Sequence, residues 1–150
     1  MPDSVRQRIF DAVGTRAATI LVANGYQTDI GSRLTKWNTT PITERELDGV
    51  DLRDASETSE PQVNRHQDRT LIVDFEVHAK KGAATAAFLR KAIADIEQMI
   101  GVDRAFGNLA KRTVPRGNEM IIDKTDRTVG GVQVKFAIEY RTLTLDPYNQ

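Results

Sequence analysis

The chain has 150 residues, 39% of them hydrophobic and 28% charged, the composition of an ordinary globular chain long enough to bury a core. Lys and Arg number 21 and Asp and Glu also 21, so the net charge is zero and excludes a general polyelectrolyte attraction to nucleic acid or to an anionic membrane. There is no cysteine, which removes disulfides, thiolate nucleophiles and cysteine-ligated zinc together.

Length predicts one domain over 1–150. Apolar runs such as Leu71-Ile72-Val73 are far shorter than the about 20 residues of a membrane span. Met1-Pro2-Asp3-Ser4 lacks the basic-then-apolar layout of a signal peptide. The expectation is a chain that meets no membrane and stays in the cytosol.

Asp3 and Ser4 are good N-caps, and Val5, Ile9, Ala12, Val13, Ala17, Ile20 and Leu21 follow at helical spacing. With Asn24-Gly25 as a left-handed stop, this predicts a helix over 4–24. Short strands are expected around 33–38 and 49–54, the second from Val50 and Leu52 alternating with Asp51 and Arg53. From Ala55 to Asp68 the composition is that of a long polar loop, mobile or ordered by a partner.

Residues 69–80 alternate cleanly. Leu71, Val73, Phe75, Val77 and Ala79 share one face, and Thr70, Ile72, Asp74, Glu76, His78 and Lys80 the other. A second helix is predicted over 84–100, with Leu89, Ala92, Ile93, Ile96, Met99 and Ile100 buried and Gly101 as its stop. Residues 102–117 are punctuated by Gly and Pro, 118–124 form a short strand, Gly130-Gly131 marks a hairpin turn, and 132–142 form the last long strand. The sum is an α+β domain: a mostly antiparallel sheet with two helices packed on one face.

Catalytic patterns are sparse. Of two histidines, His66 falls in the polar loop as a solvated side chain. His78 shares a strand face with Asp74 and Glu76, and Glu139 of the last strand is a possible fourth metal ligand. Consecutive same-face ligands diverge along a pleat, however, and Lys80, Lys135 and Arg141 supply cross-strand partners, so no metal is predicted. Phosphate-loop, GxSxG and HExxH patterns do not occur, so neither a cofactor nor a catalytic residue is assigned.

Charge is uneven along the chain. Between Ile42 and Glu60 lie Glu44, Glu46, Asp48, Asp51, Asp54, Glu57 and Glu60 against only Arg45 and Arg53. Between Arg104 and Gly117 lie Arg104, Lys111, Arg112 and Arg116 with no acid. Such segregation suits head-to-tail self-association, with Glu44, Glu46, Asp48, Asp51 and Asp54 on one side of a subunit contact and Arg104, Lys111, Arg112 and Arg116 on the other. Two solvated loops would show the same pattern.

The stretch from Asn24 to Gly31, Asn-Gly-Tyr-Gln-Thr-Asp-Ile-Gly directly after a capped helix, resembles the opening of the small tail-terminator (tail-completion) proteins of long-tailed bacteriophages. The acidic segment Glu46-Leu47-Asp48-Gly49-Val50-Asp51-Leu52, the polar loop, the long strand, the helix and a closing strand ending Glu139-Tyr140-Arg141-Thr142 follow the same plan. Asp48 departs from it, at a position where the family leads one to expect proline. The resemblance spans about Ser4 to Pro147. It implies a non-catalytic virion protein, made in the host cytoplasm, that forms a homohexameric ring on the head-proximal end of the tail. Such a ring stops growth of the tail-tube protein, meets the head and neck connector proteins, and lets DNA pass as cargo through its lumen. Another neck, head-completion or tail-tube-like subunit would share this architecture. From a different class, a small metal-dependent enzyme or ligand-binding domain would use Asp74, Glu76, His78 and Glu139.

Overall fold

The first helix starts where Ser4 accepts the N–H of Gln7 on its hydroxyl at 3.2 Å, satisfying one of the free donors of the opening turn. The computed structural model describes residues 1–40, 47–122 and 129–150. This helix, α1, runs Val5–Ala17 and buries Val5, Ile9, Phe10, Val13 and Ala17. It ends earlier than the periodicity predicts. Gly31 docks against the carbonyls of Ala17 and Ala18, so closely that a Cβ would sit 2.5 Å from the Ala17 oxygen, and its N–H donates to Ile20 O at 3.0 Å. The chain turns there, and Ile20 is buried from the turn rather than from a helical stripe. Gly25, with φ +91°, closes a separate short turn, Val22–Asn24.

Strand β1 (Leu34–Lys36) is shorter than expected and pairs parallel with the start of β2 (Gly49–Pro61). β2 corrects the sequence reading most. The predicted loop 55–68 is largely ladder: Ser56 to Pro61 pair antiparallel with Ile72 to Gln67 of β3 (His66–Lys80), after a bulge between Arg53 and Ser56. Both faces of this extension are partly wet, so Ser, Thr and Glu occupy it without an apolar alternation to mark it. Its tip, Val63–Arg65, places Asn64 and Arg65 at φ 73° and 62°, and His66 opens β3 instead of sitting in a loop.

Helix α2 (Thr85–Val102) runs through Gly101 and stops at Asp103. The Asp103 carboxylate accepts the N–H groups of Ala105 and Gly107, which starts a new turn and supplies the stop assigned to glycine. β4 (Arg112–Ile122) begins well before residue 118 and tolerates Pro115 because it is the edge strand, with a bulge between Pro115 and Asn118. β5 (Val129–Leu143) contains Gly130 and Gly131 as strand residues, not as a turn. Gly130 is needed for space, since a Cβ there would lie 2.6 Å from Ile122 Cδ1; one on Gly131 would lie 3.1 Å from His78 Nδ1, a contact that the His78 ring can relieve by a small shift.

The sheet order is β1-β2-β3-β5-β4, antiparallel apart from β1. Leu71, Val73, Phe75, Val77 and Ala79 of β3 and Val132, Val134, Phe136, Ile138 and Tyr140 of β5 form one core with α1 and α2, and Phe75 meets Phe136 edge-on at 5.8 Å. Each Val, Leu, Ile and Phe among them contributes about 1.5–3 kcal/mol by leaving water. The expected α+β architecture, two helices on one face, is present. Among the described residues, no helix covers the opposite face of the sheet.

Candidate subunit interface

β1 and β4 are the outer strands of the sheet, and the sequence candidates distribute between its β1–β2 side and its β4 side. β1 covers β2 only from Val50 to Leu52. Among the described residues, no strand pairs with the outer side of β2 beyond Leu52 or with the outer side of β4.

The acids collect at the β2 side, where each has an intramolecular task. Asp48, at φ 63° on the way into β2, pairs with Lys81 Nζ at 2.7 Å. Asp51 accepts from Thr35 Oγ1 at 2.7 Å, the Asn38 N–H at 3.1 Å and Arg53 Nε at 2.6 Å, which ties β1 to β2. Asp54 accepts from Arg6 Nε at 2.8 Å and Trp37 Nε1 at 2.7 Å, fastening α1 to the bulge. Glu44 and Glu46 lie outside the described residues.

The bases lie at and before β4. Arg104 donates to the Thr113 carbonyl at 3.2 and 3.1 Å. Lys111 reaches Asp68 at 2.8 Å, which Arg141 also grips, and these two cations hold the Asp68 carboxyl well below the usual carboxylate range. Arg112 forks onto Glu139 at 2.5 and 3.1 Å and lowers that carboxyl's pKa. Arg116, in the β4 bulge, has no hydrogen-bond or ion-pair partner among the described residues. The two charge groups thus fall on opposite sides of the sheet, with β3 and β5 between them, but most of their members are neutralised within the subunit.

The sequence reading counted Glu57 only among the acids of its segment and gave it no role, yet it is the centre of a polar cluster. Its carboxylate accepts the Tyr140 hydroxyl at 2.5 Å and lies near Arg69 and Arg6. Burial raises the Tyr140 pKa. The available signal was Tyr140 itself, a phenol on an apolar strand face that needs a partner for its hydroxyl.

On the open face, Asp74, Glu76 and His78 do not converge. His78 Nε2 meets Glu76 Oε1 at 2.7 Å, Glu76 also faces Arg53 at 3.6 Å, Asp74 takes a hydrogen bond from Gln133, and Glu139 belongs to Arg112. Among the described residues, no three His, Cys, Asp or Glu side chains are grouped to hold a metal ion. A cavity of about 590 Å³ lies beside them, lined by Glu76, His78, Glu119, Ile121, Gly131 and Gln133 among others. Its lining combines apolar side chains with two carboxylates and an imidazole. No described helix is long and apolar enough to cross a membrane. Compared with known families and with curated proteins, the chain matches no family model and no curated sequence.

Proposed function

We propose that the chain is a ring-forming structural subunit of a long-tailed bacteriophage, a tail terminator that closes the head-proximal end of the tail tube. The observation that supports this best is the distribution of unlike charge towards the two sides of one sheet: Asp51 and Asp54 on β2, next to the β1 edge, and Arg112 and Arg116 on the β4 edge. Copies that meet through unlike edges associate head to tail, and such contacts close into rings when the rotation fits. The resemblance of residues 24–31 to the opening of terminator proteins points the same way.

In this reading six copies close a ring. One ring face engages the last tail-tube subunits and blocks further addition, and the other receives the head and neck proteins. DNA passes through the lumen without being read, as a chain of zero net charge allows. The protein works in the virion, is assembled in the host cytoplasm and catalyses nothing.

The test is native mass by light scattering after size exclusion, followed by addition of the protein to polymerising tail-tube subunits. A hexamer that shortens the tubes is the expected result. A ring that leaves tube length unchanged reassigns the chain to the neck. A monomer that neither binds nor shortens tubes overturns the reading.

A further inference from the structure

At one corner of the sheet the turn between β2 and β3, Val63–Arg65, stands beside the turn that follows β5. His66 pairs with Leu143, and the Thr144 N–H donates to Arg65 O at 2.8 Å. This corner presents Val63, 85% exposed, and Leu145, 89% exposed, the most exposed large apolar side chains after Met1. Asn64, Arg65 and Leu145 sit at φ 73°, 62° and 60°, a region that residues other than glycine enter at a cost. The backbone there is held in a costly form that keeps apolar groups in water. Arg65 is exposed and has no ion-pair partner among the described residues.

The cavity of about 590 Å³ occupies the diagonally opposite corner, where His78 pairs with Gly131 and Gly131 with Ile121. Ile121, 66% exposed, lines it. Glu119 also lines it, is exposed, and has no ion-pair partner among the described residues. We infer that the Val63–Arg65 tip of one copy, with Leu145 beside it, seats in this cavity of the next copy. The inference rests on the head-to-tail reading above and names its contact.

Size, polarity and charge each favour a second copy as the occupant. The volume falls among cavities of about 300–1,000 Å³, which enclose a compact group of atoms. Val63 and Leu145 meet Ile121, so apolar surface that both copies leave in water is buried at once. Arg65 brings its guanidinium to the Glu119 carboxylate, and each supplies the partner that the other lacks within its own subunit. Tip and cavity are different surfaces of one chain, so the contact is heterologous. From His66 to His78, at about 3.3 Å per residue, the two corners are about 40 Å apart, and no copy fills its own cavity. In a closed ring the two corners lie at one height, so the strands incline to the ring axis.

The absence of cysteine makes the test clean. Val63→Cys and Leu145→Cys are each combined with Ile121→Cys, all at exposed positions that leave the core intact. The purified doubles are oxidised alone and with tail-tube protein. The corners of one subunit are too far apart for the about 7 Å limit of a disulfide, so every bond joins two copies. A ladder of covalent oligomers ending at six on a non-reducing denaturing gel is expected from at least one pair. Val63→Cys with Val102→Cys, exposed on α2 and in neither corner, gives no ladder. Adding Arg65→Glu to the doubles should lower the yield, and Glu119→Arg in the same chain should restore it. A yield indifferent to both overturns the pairing of Arg65 with Glu119. If the native ring forms but neither pair cross-links, the corner contact is overturned and the ring reading stands. A ladder that stops at two keeps the contact and overturns the ring. If the unsubstituted protein is monomeric with and without tubes and neither pair cross-links, both fall.

Discussion

Phe75 and Asp74 are chain neighbours on β3 with opposite surroundings. Phe75 lies beneath the helices with no exposed surface, against Phe136. Asp74 lies on the open face, 7% exposed, with one carboxylate oxygen on Gln133 and the other without a partner among the described residues. The covered face is held by apolar contact, which is non-directional and sums over many side chains. The open face is held by pairwise charge, strong only where geometry is good and water is excluded. Substitution should therefore cost much on one face and little on the other.

The largest expected effect is Phe75→Ala, which removes a fully buried ring and leaves a cavity, lowering unfolding free energy by about 3–5 kcal/mol in denaturant titration. Its neighbour provides the contrast. Burial raises the Asp74 pKa, so its contribution is most favourable below the ordinary aspartate value and is lost as pH rises through the raised one. Asp74→Asn should leave stability at pH 7 unchanged or higher, and a clear drop in Tm would show that the open face depends on that carboxylate.

Next comes Asp95→Ala. Asp95 is completely buried on α2 and accepts the N–H groups of Gln27 and Thr28 and the Thr28 hydroxyl. Removing it strands buried donors at a cost of about 3 kcal/mol, and faster hydrogen exchange at residues 26–29 would accompany the loss.

The adjacent glycines of β5 repeat the comparison at smaller scale. Gly130→Ala forces a methyl towards Ile122 and Thr85 on the helix side and should cost about 1–3 kcal/mol. Gly131→Ala meets only the movable ring of His78 and the Val77 carbonyl at ordinary distance, so its Tm should fall less. Equal losses would erase the distinction between the faces.

The smallest effect is one of pH. Lys111 and Arg141 lower the Asp68 pKa, so its contribution is present above the ordinary aspartate value near 4 and is lost as pH falls below it. Asp68→Asn should leave Tm lower at neutral pH and flatten its decline in acid. An unchanged acid slope would mean that these surface pairs contribute nothing measurable.

The same division explains what could be read from sequence. Leu71 to Ala79 and Val134 to Tyr140 alternate because helices cover one side of them, and that coverage writes a period of two into the chain. Ser56 to Glu60 extend beyond the core, so nothing imposes an apolar face and their strand leaves no trace. Ile20 and Leu21 continue the helical spacing although the helix has already turned at Gly31, a contact invisible to periodicity. The candidate charges were legible as two segments of unlike sign, but their partners were not: Asp54 meets Arg6 across 48 residues and Lys111 meets Asp68 across 43. Asp95 interrupts an otherwise apolar helix stripe, a signal that was present and unused.

The ladder between β3 and β5 pairs every residue from His66 with Leu143 to Lys80 with Val129, without a bulge, while the pairings on either side of it, β2 with β3 and β4 with β5, are each interrupted. At about 3.3 Å per residue it forms a spine about 50 Å long through the middle of the subunit. Tension applied to the two strands from opposite ends, along their length, loads its hydrogen bonds in shear and shares the force among all of them. Tension across the outer strands would instead open bonds one after another from each bulge. The subunit is thus mechanically stiff along one axis and compliant across it, with its resistance concentrated in two strands.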